Sequence, residues 1–252
     1  MPRFFLSPSA WTETPFLEGD EAKHLSQVLR IQTGATITVF DGLGNHAEAR
    51  VLAVSKQRVD LMLELAESSP TPLPAITLAQ AIPKGKNMDW IVQKAVELGV
   101  SRIQPLVTRH TIVSPGEDKA EKWRRTALEA CKQCGQFTIP IIEDPLTFGE
   151  WLAKRPPADL EIIASLADKP QNFRETLQSH PGLESITIAI GPEGDFSTEE
   201  TTAALAAGFV PVTLGGLVLR VETATMFCLS AIRFQYLSWI SNGKCTGTDQ
   251  HG

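Results

Sequence analysis

At 252 residues the chain exceeds the usual single-domain size without reaching two large domains, so one main domain with a small appended one is expected. Hydrophobic residues make up 42% and charged residues 21%; with no apolar run near the roughly 20 residues of a membrane span, the chain reads as soluble and globular. A net charge of −6, from 23 Lys plus Arg against 29 Asp plus Glu, excludes coating nucleic acid by bulk electrostatics. It leaves room for a local basic strip that grips a folded RNA site.

Residues 1–6 lack the basic stretch, apolar segment and small-residue cleavage site of a secretory leader, which makes the cytoplasm the expected location. Over residues 3–67 the signals are short and β-like. Thr36–Phe40 alternates, Asp41-Gly42 and Gly44-Asn45 supply turn chemistry, and residues 47–54 and 59–65 alternate again, as in a small barrel or sandwich. Ala22, Leu25, Val28 and Leu29 recur at helical spacing and predict one helical interruption over 21–29. Residues 68–74 carry three prolines in seven positions and mark a linker.

Beyond it, strand-like runs at 76–82, 103–107, 139–142, 160–165, 186–190 and 210–214 alternate with helical patterns. The helices are expected at 88–98, 119–134, 147–154, 172–178, 198–207 and 222–239. This is the pattern of an α/β domain with a largely parallel sheet, whose ligands bind where loops leave the carboxyl ends of strands. Trp123, Trp151 and Trp239 sit on helical patterns, expected in the core or at a dimer interface. Residues 243–252 are polar and glycine-containing, expected to be a disordered tail.

Cys131, Cys134, Cys228 and Cys245 give no evenly spaced disulfide framework. Cys131 and Cys134 form a C-x-x-C, but it lies inside a helical pattern without a second cysteine or histidine pair. It reads as two small helix residues, and no metal site is expected.

Two C-terminal loops carry the chemistry. Strand 186–190 runs into Gly191-Pro192-Glu193-Gly194-Asp195-Phe196, after which Ser197-Thr198-Glu199-Glu200 has the form of a capping box. Its glycines let the backbone approach a ligand, although alone the loop is equally a tight structural turn. Strand 210–214 leads into Gly215-Gly216-Leu217-Val218-Leu219-Arg220 and then a helix. An arginine beside a helix N-terminus concentrates positive charge suited to a carboxylate or phosphate. Neither G-x-G-x-x-G nor G-x-x-x-x-G-K-[ST] occurs, so dinucleotide and P-loop sites are poorly supported.

The pair GPEG with a following Phe-Ser, and LG followed by VLRVETA, resembles the two signature loops of SPOUT methyltransferases. Further blocks resemble the RsmE family, which methylates N3 of a uridine in 16S ribosomal RNA. These are HLSQVLR over 24–30 with Gly34, Lys84-Gly85-Lys86 with Asp89 and QKAVELG over 93–99, and Lys122-Trp123-Arg124-Arg125 with Glu129, Ala130 and Gln133.

The resemblance implies a PUA-like RNA-binding β-barrel over residues 1–70 and a SPOUT methyltransferase domain over 71–242 with a C-terminal trefoil knot, active as a homodimer. It implies S-adenosyl-L-methionine held by Leu166, Ile190, Gly191, Pro192, Glu193, Gly194, Leu214, Gly215, Leu219, Arg220, Thr223 and Ala224. Arg220 and Glu193 are the catalytic candidates: Arg220 to stabilise charge on uracil or the cofactor carboxylate, Glu193 as a base or as a tie to backbone amides. Arg3, His24, Arg30, Lys84, Lys86 and Arg109 are the candidate contacts to 16S rRNA or the small ribosomal subunit. Asp195, Leu217 and Gln136 stand where the family pattern has a glycine and two arginines, which removes forked donors suited to RNA. Another RNA position, or a catalytically impaired ribosome-binding homologue, therefore stays open beside the leading reading.

Overall fold

The computed structural model describes residues 1–112, 116, 118–165 and 170–237. Leu166, Trp239 and the expected tail at 243–252 lie outside the described residues. Six N-terminal strands, β1 (Arg3–Phe5), β2 (Phe16–Glu18), β3 (Thr36–Phe40), β4 (Asn45–Val54), β5 (Arg58–Leu63) and β6 (Glu67–Ser68), form a curled sheet in the order β1-β3-β4-β5-β2, with β6 on β4. Alternation along β3, β4 and β5 turns Ile37, Val39, Ala47, Ala49, Val51, Val59 and Leu61 onto one core with Phe4, Leu6 and Leu17. The helical segment expected over 21–29 is α1 (Gly19–Lys23) followed by a π-helical turn, His24–Val28. Ala22 and Leu25 are buried as the spacing predicts, but Val28 and Leu29 are 67% and 43% exposed. The wider π turn shifts the phase of the residues after it, taking both off the apolar face.

The second sheet comprises β7 (Ala75–Ala81), β8 (Arg102–Val107), β9 (Ile141–Ile142), β10 (Leu146–Thr147), β11 (Leu160–Ala164), β12 (Gln171–Asn172), β13 (Ser185–Ile190) and β14 (Val210–Thr213). Its order is β10-β8-β7-β13-β11-β14-β12, with β9 on β8, and each of these pairings is parallel. Helices α2 (Asn87–Glu97), α3 (Lys119–Cys134), α4 (Phe148–Lys154), α5 (Phe173–Gln178), α6 (Thr198–Ala206) and α7 (Val221–Gln235) cover both faces. Ile76, Leu78, Ile103, Ile162, Ile186 and Ile188 meet α2, α3, α5 and α7 on one side. Ala79, Leu106, Ile163 and Ala189, the alternate positions, meet Phe148 and Trp151 of α4 and Ala204 of α6 on the other. Both α4 and α6 open on complete capping boxes, Thr147 with Glu150 and Ser197 with Glu200.

The two sheets are stitched together by contacts far apart in sequence. Arg3 donates to the carbonyls of Lys132 and Gln133 at the end of α3, at 3.1 Å each. Lys132 pairs with Glu21 of α1 at 2.7 Å, and His46 of β4 stacks on Phe137 with ring centroids 3.9 Å apart.

Candidate functional site

Strands β13, β11 and β14 are parallel neighbours, so their carboxyl ends open on one edge of the sheet. After β13 the chain turns through Gly191 to Asp195, where Asp195 adopts φ +58. Its Oδ1 accepts the Phe196 amide at 2.8 Å, which offsets the left-handed backbone. Its Oδ2 accepts from Ser165 Oγ at 3.4 Å, tying this loop to the end of β11. After β14, Gly215 takes φ +118, a conformation that side chains resist, and the loop runs through Leu217 and Val218, each 80% exposed. Arg220 is the extended N-cap of α7 and makes no side-chain cap of its own.

These loops enclose a cleft of about 460 Å³. Of the twelve residues the sequence assigns to the cofactor, nine line it: Ile190, Gly191, Pro192, Glu193, Leu214, Gly215, Leu219, Arg220 and Ala224. Gly194 and Thr223 do not; Gly194 backs onto His110 and Thr223 faces outward. The cleft also includes Asn87, Ser165, Asp195, Leu217, Val218 and Glu222, which the sequence reading had not assigned to it. Glu222 and Asn87 were invisible as a pair because they meet across the chain at 3.5 Å, from α7 and α2.

The lining suits a cofactor with a flat heterocycle, a sulfonium and an amino-acid end. Ala164, Ile190, Val212, Leu214 and Leu219 supply apolar walls. A Cβ added at Gly215 or Gly216 would meet no protein atom within 4 Å, so the positive φ of Gly215, and not crowding, is what favours glycine there. Arg220 at the start of α7 offers positive charge to a carboxylate, while Asp195, Glu193 and Glu222 offer negative charge to cationic and hydroxyl groups.

A second cleft of about 500 Å³ adjoins the first, lined by Lys84, Arg109, His110, Thr111, Ile112, Glu193 and Gly194. Glu193 lines both. The loops leaving β7 and β8 are bound to the loop and helix that follow β13: the Lys84 amide donates to Glu193 Oε1 at 3.0 Å, and the Arg109 amide to Glu200 Oε1 at 2.9 Å. His110 Nδ1 lies 2.9 Å from the Asp195 carbonyl. The sequence reading passed over His110, whose one signal is its position at a strand's carboxyl end beside Arg109.

Lys84 and Arg109 are therefore the two predicted RNA cations that come together. Lys86 points into a separate small pocket with Asp89, Lys119 and Lys122. Arg3 is engaged at the sheet junction, His24 lies edge-on to Phe4, and Arg30 is exposed at φ +53; none of the three lines either cleft. Gln136 donates to the Thr138 carbonyl at 2.8 Å, also at the junction. Cys131 is buried and Cys134 exposed. Burial first, then the neighbouring Cys134, pushes the Cys131 thiol up to about 12, so it stays protonated at neutral pH. No group of metal-ligating residues occurs among the described residues.

Residues 69–233 match an RNA methyltransferase domain family and residues 17–64 an RNA methyltransferase PUA domain family. A ribosomal RNA small subunit methyltransferase E from Synechocystis is 33% identical over 91% of this chain and 76% of its own length. The protein of that name from Bacillus subtilis is 29% identical over 93% of this chain and 97% of its own. Among solved structures, a ribosomal RNA small subunit methyltransferase E from Neisseria gonorrhoeae bound to S-adenosyl methionine superposes with a TM-score of 0.83 at 31% identity, covering 94% of this chain and 98% of that one.

Proposed function

From its membership of the RNA methyltransferase family, we propose that this chain transfers a methyl group from S-adenosylmethionine to N3 of a uridine in 16S ribosomal RNA. The observation that carries the reading is the single cleft at the ends of β11, β13 and β14, where both signature loops converge. In the proposed assignment the apolar walls take adenine and shield the methyl from water. Arg220 and the start of α7 take the methionine carboxylate. When bound, the cofactor supplies an electrophilic methyl group, and the chain's part is to orient it toward the nitrogen that attacks. Arg109 and Lys84 supply charge for the RNA, which a chain of net charge −6 must concentrate locally.

The same reading extends to architecture and location. The chain inserts β13 between β7 and β11 and β14 between β11 and β12, then returns through α7 to pack on α2, a path that supports a trefoil knot. Phe227 and Phe234 of α7, with Leu237 beyond it, are 46%, 84% and 67% exposed, which supports a second copy of the chain covering this helix. A cytoplasmic location follows from the proposed ribosomal RNA substrate, and no helix of the described residues is long and apolar enough to cross a membrane.

The test is to incubate the protein and S-adenosylmethionine with small subunits that lack the modification, then to digest the RNA and identify nucleosides by mass. N3-methyluridine in 16S RNA is expected, from a protein that sediments as a dimer. Methyl groups appearing only in transfer RNA or on another base would overturn the substrate. Absence of S-adenosylmethionine binding at millimolar concentration would overturn the enzyme, and a monomer would overturn the second copy on α7.

A further inference from the structure

The second cleft carries one imidazole, His110, among its lining groups. Uracil N3 carries a proton and is a poor nucleophile until that proton leaves. Among the groups lining the cleft, His110 is held in an orientation suited to removing it. Its Nδ1 lies 2.9 Å from the backbone carbonyl of Asp195, and a carbonyl can only accept, so Nδ1 carries the hydrogen. In the neutral ring this fixes the tautomer: Nε2 is the lone-pair nitrogen, on the side of the ring away from the Asp195 loop. Nε2 has no hydrogen-bond partner among the described residues. The ring also packs against Gly194. A Cβ on Gly194 would fall 3.2 to 3.4 Å from its Cβ, Cγ and Nδ1, so the glycine leaves room for the imidazole to lie against the loop that walls the cofactor cleft. The charged groups facing it are Lys84 from the β7–α2 loop, Arg109 beside it, Glu193 and Asp195 from the loop after β13, and Glu199 of α6.

Building on the proposed uridine reaction, we infer that the cleft between Lys84, Arg109 and Glu193 receives the target uracil and that His110 Nε2 is its general base. Nε2 takes the N3 proton, and the freed electron pair on N3 forms the bond to the methyl carbon. The carbon–sulfur bond breaks with its pair going to sulfur. The products are N3-methyluridine, S-adenosylhomocysteine and an imidazolium, which returns its proton to water. Lys84 and Arg109 offset the charge that develops on the uracil oxygens.

The test compares His110→Ala with His110→Asn in single-turnover methylation of unmodified small subunits at saturating RNA, with calorimetric binding of S-adenosylmethionine alongside. Asparagine places an amide N–H where Nδ1 stands and keeps the bond to Asp195, but offers nothing in place of Nε2. Both variants are expected to lose at least about 100-fold in rate, to bind the cofactor as the wild type does, and, for the alanine variant, to regain part of the rate with added imidazole. An asparagine variant at the wild-type rate would reduce His110 to a support for the loop and overturn the inference, as would rate and cofactor affinity falling together. If the wild type methylates N3 and both variants keep pace, this inference alone fails. If the wild type forms no N3-methyluridine, the proposed function fails first and takes the base with it.

Discussion

Glu193 shows how a side chain with several readings in the sequence gains a definite contact in the structure. It lines both clefts, and its Oε1 accepts the Lys84 amide at 3.0 Å. That role needs an acceptor and not a charge. Glu193→Gln should therefore keep cofactor affinity and methylation rate within about two-fold, whereas Glu193→Ala frees the Lys84 loop. Losing one such bond costs about 1 kcal/mol, read in calorimetry as cofactor binding weaker by about five-fold. A glutamine variant as inactive as the alanine variant would make the carboxylate itself the proton acceptor. The sequence marks Glu193 as part of a candidate loop, because GPEG is a local pattern. Its partner is 109 positions away, and nothing in the spacing of residues reports such a contact. His110 was overlooked for the same reason: its tautomer is set by Asp195, a residue on another strand's loop.

Among the elements, α7 carries most of the consequence. Its first turn brings Val221, Glu222 and Ala224 to the cofactor cleft, and its fifth residue, Thr225, is fully buried. The Thr225 hydroxyl lies 2.6 Å from Gln80 Oε1 and 2.9 Å from the Val221 carbonyl, fastening the helix start to β7, the strand beside β13. Thr225→Val keeps the shape and strands the Gln80 oxygen in an apolar core. The expected loss is about 1–3 kcal/mol in urea-induced unfolding, together with weaker cofactor binding, since the displaced turn is part of the cleft. Unchanged stability would show that the buried amide finds another donor. The sequence predicted α3 at its observed limits because sixteen residues give the helical period several turns to repeat. Strand β9 falls inside the run predicted over 139–142, whereas β10 and β12, of two residues each, have no room for alternation and exist only as edge pairings to β8 and β14. The same holds for β1 and β2, recruited by β3 and β5.

For the whole molecule, the prolines of 68–74 mark a break in composition, yet the two sheets meet at a junction that no local pattern announces, where Phe40 packs on Phe137 beside a polar cluster. Its centre is Lys132, with a side chain 12% exposed, paired with Glu21, 17% exposed, and with Glu129. Burial works against the ammonium charge, but the hydrogen bonds to Glu129 and Glu21 outweigh it and hold Lys132 above its ordinary value of 10.5. A raised lysine stabilises the fold fully below the unfolded value and ceases to do so as pH climbs through the folded one. Lys132→Ala leaves the mostly buried Glu21 without this cation while Glu21 still accepts the Phe5 amide at 3.3 Å. Fully buried pairs lose 3–5 kcal/mol on such a change, and the remaining exposure here discounts that to about 2 kcal/mol. Urea unfolding at pH 7 should show that deficit, and the gap between wild type and variant should narrow as pH rises beyond 10.5. A second removal tests the coupling: Glu21→Gln in the Lys132→Ala background should restore part of the loss, because it takes away the uncompensated charge. If the deficit is the same at high pH, or if the double variant simply adds the two penalties, the pair contributes packing and not charge. The N-terminal sheet would then be held chiefly by Arg3 on the α3 carbonyls and by Phe40 and His46 packed on Phe137, in the loop that follows α3.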